Sequence, residues 1–187
     1  MGFDPDTLAA GRLSSQPFPH YRFVPGRHPH PTADPAGHSY HPPGESPPRV
    51  RWIAPEDWRR SPDYLYGCDL YNHGYWWEAH EAWEGLWQLC DKRAEQGYFL
   101  QGLIQVSACH LKRYVGQVDG VRRLFASSLG YFKRAGARAG GTYIGLDVSA
   151  FMASVEQYYS GAVSEAAVAP HDPARYPYVS LKRGSHD

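Results

Sequence analysis

The chain has 187 residues, an apolar fraction of 42% and a formal net charge of zero. That length suits one domain with appended arms and a real core. The charge balance excludes a global electrostatic pull toward nucleic acid or an anionic membrane, and no stretch approaches the roughly 20 apolar residues of a membrane span. The cysteines Cys68, Cys90 and Cys109 are odd in number and form no C-x-x-C pair. A reducing cytoplasm is the simpler reading, and Met1 to Leu13 has no apolar run of signal-peptide length.

Residues 1–50 hold 11 of the 16 prolines and 5 of the 10 histidines. Proline fixes φ and removes a donor, so this stretch reads as an extended arm. Phe18, Tyr21, Phe23 and Tyr40 give it apolar anchors for wrapping the body, which spans 51–161. Ser61-Pro62-Asp63 reads as an N-cap with proline at the first helical position, and Asn72 to Gly74 as a stop. A second helix is expected from Tyr75 to about Cys90, and a third from about Ala94 to Val115. A fourth starts at Asp119 and fades in Gly136 to Gly141, and a fifth runs from Asp147, its N-cap, to Gly161. Residues 162–187, with Pro170, Pro173 and Pro177, read as a second irregular arm. Short loops make consecutive helices antiparallel neighbours, so the expected fold is all-α, a compact bundle of about five helices with an extended arm at each end.

Charge is uneven along the body. Ala54 to Asp91 carries eight acids and two bases, and Lys92 to Arg138 nine bases and two acids. The pairs Arg122–Arg123 and Lys133–Arg134 fall on one side of the fourth helix, which reads as a solvated face or as a docking surface. No nucleic-acid motif supports the second reading.

The second helix carries the chemistry. At 100° per residue, Trp76, His80, Trp83 and Trp87 form one stripe, with Trp77, Glu81 and Glu84 on its flank and Glu78 on the opposite side. His80 is therefore expected to face inward, with Glu84 one turn on. An inward histidine beside carboxylates is costly unless paired or ligated. Three readings stay open: a structural hydrogen-bond network, a site for Zn, Mn or Fe, and a metal-free acid/base pair in which Glu84 orients His80. His110 lies on the apolar stripe of the third helix and offers a further ligand. Gln101 and Gln105 lie on that helix's other face and would line a polar groove if covered. His28 and His30 project to one side of the extended arm, which could also close over the site as a lid.

The run from Asn72 to Trp87 resembles the signature helix of the domain-of-unknown-function 309 family. Phe99 to Gln105 looks like its second motif, and Gly145-Leu146-Asp147-Val148 its closing Gly-x-Asp element. The resemblance implies a compact all-helical fold. The family has been labelled a predicted metal-dependent hydrolase, a label that carries over to Glu78, His80, Glu81 and Glu84. The resulting expectation is a polar pocket between the second and third helices, lined by His80, Glu81 and Glu84 with His110 as partner, and holding a divalent metal. There a small molecule would be hydrolysed with Glu84 and His80 as catalytic groups. The competing expectations are a non-catalytic scaffold with a structural His/Glu network, a homodimer included, and a small-ligand binder with a pocket lined by Trp76, Trp83 and Trp87.

Overall fold

A computed structural model describes residues 5–8, 10–46, 48–51, 53–139, 141–160 and 173–182. Among these residues are five α-helices: α1 (Pro62–Asn72), α2 (Trp76–Gln88), α3 (Glu95–Tyr114), α4 (Val118–Ala139) and α5 (Val148–Tyr159). The signals read from the sequence set these bounds. The Ser61 hydroxyl accepts from the Tyr64 amide at 3.3 Å with Pro62 at the first position, and Gly74 ends the turn after α1 at φ 78°. The Asp147 carboxylate caps α5 by accepting from the Ala150 amide at 3.0 Å. The expected end of α5 at Gly161, residues 162–172 and 183–187 of the second arm, and Trp52 near the start of the body lie outside the described residues.

Packing is serial. α1 lies on α2, α2 on α3 and α3 on α4, while α5 closes against α4. Close approach is bought with glycine at two crossings. Gly67 on α1 lies against the Trp83 indole, and Gly102 on α3 against the Phe132 ring of α4. Gly102 is the centre of the Phe99–Gln105 motif, so that motif is a packing device.

The all-α expectation needs one small amendment. Thr142–Tyr143 and Leu146–Asp147 pair as a two-stranded antiparallel hairpin, β1 and β2. Its turn residues Ile144 and Gly145 both have positive φ, 45° and 77°, as a primed two-residue turn requires. Gly145 also lies against the Trp58 ring, where a Cβ would collide. The Gly-x-Asp element therefore has a local explanation: glycine for the turn and the contact, aspartate for the cap.

Both arms are bound to the bundle. The Asp69 carboxylate, fully buried on α1, accepts from the Leu13 amide (2.7 Å), the Ser14 amide (2.8 Å), the Ser14 hydroxyl (2.7 Å) and Arg12 Nε (3.1 Å). On the C-terminal side, Asn72 pairs with the backbone of Val179, accepting from its amide at 2.8 Å and donating to its carbonyl at 3.0 Å. Among the described residues no helix is long and apolar enough to cross a membrane.

A Cβ at Gly102 would stand 2.6 Å from the buried Phe132 ring. Overpacking of this kind costs about 1–3 kcal/mol, more than the ~1 kcal/mol alanine gains in helix propensity. Gly102→Ala is expected to lower stability in urea denaturation; a variant as stable as the parent would contradict this account of the motif.

Candidate functional site

The buried stripe of α2 is Trp76, Ala79, Trp83 and Leu86. It is rotated from the expected stripe because Ala79 and Leu86 also face inward, between α1 and α3. This corrects the placement of His80. Its side chain is 29% exposed, beside Glu81 at 43% and Glu84 at 37%. The three form one group on the open flank of α2. His80 Nε2 stands 3.5 Å from Glu84 Oε2 and 4.0 Å from Glu81 Oε1, and one donor atom from each residue lies within 4.8 Å of the others. Partial burial and the neighbouring Glu84 and Glu78 charges push the Glu81 carboxyl above its usual range, against the pull of His80.

His110 does not join this group. It is fully buried, and both ring nitrogens are taken by tyrosines: Nε2 by the Tyr71 hydroxyl and Nδ1 by the Tyr159 hydroxyl, each at 2.8 Å. Tyr71 donates its own proton to the Pro177 carbonyl at 3.1 Å. Its oxygen therefore accepts from Nε2–H, and Nδ1 accepts from Tyr159, which fixes the neutral tautomer by inference from the partners. Trp76 stacks on the imidazole at 5.6 Å and Tyr176 at 4.9 Å. A ring closed in this way has no lone pair to offer a metal, so the expected His80–His110 pair is corrected to two separate sites. Gln101 and Gln105 are half-buried on α3, and no hydrogen bond links them to the His80 group. Trp87 is half-buried under Lys92, whose ammonium sits 4.7 Å above its ring. Asn72 serves the C-terminal arm, as described above.

Glu78 is the second correction. The wheel places it away from the core, and it is indeed away from the bundle's own stripe, yet it is 5% exposed because the N-terminal arm covers it. Its Oε1 accepts from the Phe23 amide at 2.8 Å and from His38 Nε2 at 3.0 Å, while Oε2 is buried with no hydrogen-bond partner among the described residues. Phe23 and His30 pack edge-on against Trp77 beside it, at 5.4 and 5.6 Å. His28 turns away to stack on Tyr21, so the two arm histidines do not act together. The arm thus covers the first turn of α2 and leaves the His80 group open. Phe23 was expected as an apolar anchor and is buried, but sequence reasoning missed the bond from its amide to Glu78, and missed His38 and Asp69 as anchors. The only available signal was a carboxylate on a helix with an aromatic-rich arm elsewhere in the chain.

What the fold and the site define is a small helical protein with a surface His/Glu group on its second helix. The model of the family described as Domain of unknown function (DUF309) matches residues 64–124. The matched segment, about a third of the chain, contains all of α2 and α3, the His80 group and His110. The Gly145–Val148 element lies beyond it. A comparison with curated proteins gives no match.

Burial holds the Glu78 carboxyl above its usual value of 4.5, against the hydrogen bonds from Phe23 and His38 that pull it down. A carboxyl raised on folding binds its proton more tightly in the folded chain. Stability is therefore lost as pH rises from the usual value through the raised one. Glu78→Gln keeps the shape and removes the charge, so its stability relative to the parent should improve as pH climbs through that window. Urea denaturation across acid to neutral pH measures the gap; a gap independent of pH would contradict this reading.

Proposed function

We propose that this protein binds a divalent metal through His80, Glu81 and Glu84, and that hydrolysis of a small molecule is the reaction class such a site serves. The observation carrying this reading is the convergence of one imidazole and two carboxylates, with donor atoms within 4.8 Å of one another. Ligands at roughly 2.0–2.2 Å from a common ion stand about 3.4 Å apart in tetrahedral geometry, so the 3.5 and 4.0 Å separations close with small side-chain rotations. The donor set suits Zn, Mn or Fe(II). With three protein ligands a coordination position stays open, which is the pattern of catalytic rather than structural sites.

A bound divalent cation would supply Lewis acidity at that open position. The protein's own groups hold the position at the surface. The α2 backbone fixes the i, i+4 spacing of His80 and Glu84, and Glu81 stands beside them on the same flank with its carboxyl half-desolvated.

The second reading is a non-catalytic module. It is supported by the exposure of the group, with all three side chains between 29% and 43% open to solvent, since enzymes usually enclose their substrates.

Elemental analysis of the untagged protein separates the readings from adventitious binding. We expect stoichiometric metal, retained after dialysis, with affinity reduced by at least about a hundredfold in His80→Ala and Glu84→Ala. Cleavage of generic ester and phosphodiester substrates by the loaded protein, lost in both variants, would support hydrolysis. Failure of the parent to bind Zn, Mn or Fe(II) would remove the basis of the metal reading altogether.

A further inference from the structure

A cleft of about 350 Å³ opens between the N-terminal arm, the start of α2 and the end of α3. That is the lower end of the roughly 300–1,000 Å³ usual for small-molecule sites. It shares no residue with the His80 group. Trp76 and Tyr114 line it from the bundle side, their rings 5.6 Å apart and tilted by 60°. Tyr21, Phe23 and His28 line it from the arm, with His28 stacked on Tyr21 at 5.1 Å and 21°.

Among the described residues, cationic groups outnumber anionic ones around this cleft. Arg22 lines it, but its guanidinium is engaged, donating to the His73 carbonyl at 2.9 Å and to Asp6 at 2.8 Å. Arg27 is different. Its guanidinium lies 5.5 Å over the Tyr114 ring, it is exposed, and among the described residues no carboxylate pairs with it. His28 Nδ1 accepts from the Val24 amide at 3.2 Å, which leaves Nε2 to carry the ring proton and act as donor. Among the described residues, the Arg22 guanidinium and the His28 donor line the cleft with one carboxylate, Asp6, and Arg27 stands beside it over the Tyr114 wall. A cationic guest, which an aromatic-lined cleft would otherwise attract, is repelled by Arg27, and the protein's own cation already occupies a Tyr114 face.

We propose that this cleft binds a planar ring carrying an anionic group. The ring stacks among the aromatic walls, and the anion pairs with Arg27 in a charge-assisted contact. A nucleoside monophosphate and an aromatic carboxylate both present this chemistry.

The test is ligand-observed saturation-transfer NMR on the full chain, in EDTA so that the His80 group plays no part. The probes are adenosine 5′-monophosphate, indole-3-acetate and the cationic tryptamine. At least one anionic probe should bind more tightly than tryptamine. Binding of the nucleotide alone assigns the anion as phosphate, and of indole-3-acetate alone as carboxylate. Losing a charged hydrogen bond of about 1.5 kcal/mol weakens binding roughly tenfold, the effect expected for Arg27→Ala. Arg27→Glu should abolish the signal. Arg27 is exposed, so both variants should melt like the parent. The proposal is overturned if neither anionic probe binds, if tryptamine binds as tightly as they do, or if the Arg27 variants bind like the parent.

Discussion

The arrangement of this bundle depends on one imidazole sealed from water between two phenol oxygens. A buried polar ring is costly unless both nitrogens are satisfied, and the partners of His110 come from separate parts of the fold: Tyr71 from α1 and Tyr159 from α5. Tyr176 extends the network. Its hydroxyl donates to the Tyr71 carbonyl at 2.8 Å and accepts from Trp76 Nε1 at 2.9 Å. Trp76 is therefore fixed from two sides, by that bond and by stacking on His110, while Ser107 of α3 donates to its backbone carbonyl. With the first residue of α2 held inward, helical geometry places His80, four residues on, at the edge of the buried face rather than on it.

The arms complete what the helices leave open. Two buried carboxylates, Asp69 and Glu78, receive the N-terminal arm, one on α1 and one on α2. Asp69 is saturated by four donors. Glu78 has one oxygen with two donors and the other with none among the described residues, so its charge is less well compensated. Between the strip of α2 under the arm and the strip under α1 and α3, a third strip stays open, and the His80 group lies there. Val50 returns onto α2 farther along, against Gly85, so the same helix is covered at both ends of its arm-facing side.

Much of this was legible from short-range chemistry. Ser61 and Asp147 behave as the caps their residue types indicate, Gly74 as the stop, and the five helices lie close to their expected bounds. The composition of residues 1–50 marked an extended segment with apolar anchors. The orientation of α2 was not legible, because four tryptophan and histidine positions at helical spacing outweighed Ala79 and Leu86, which in fact define the buried face. The partners of Glu78 lie 40 and 55 residues away in sequence, and that of Asn72 lies 107 away. No local pattern encodes such pairings. His110 was correctly expected to point inward, but whether an inward histidine is a ligand or a closed network depends on Tyr71 and Tyr159, which only the fold brings to it.

The central claim is that the two histidines have separate fates, His110 closed within the core and His80 available at the surface. Long-range proton–nitrogen NMR of the histidine rings, recorded while Zn is added to the folded protein, tests it most directly. The account predicts that the His80 ring nitrogens shift on addition of metal, with His110 unchanged and its nitrogens displaying the Nε2–H tautomer. A metal-induced shift at His110, or none at His80, would contradict it.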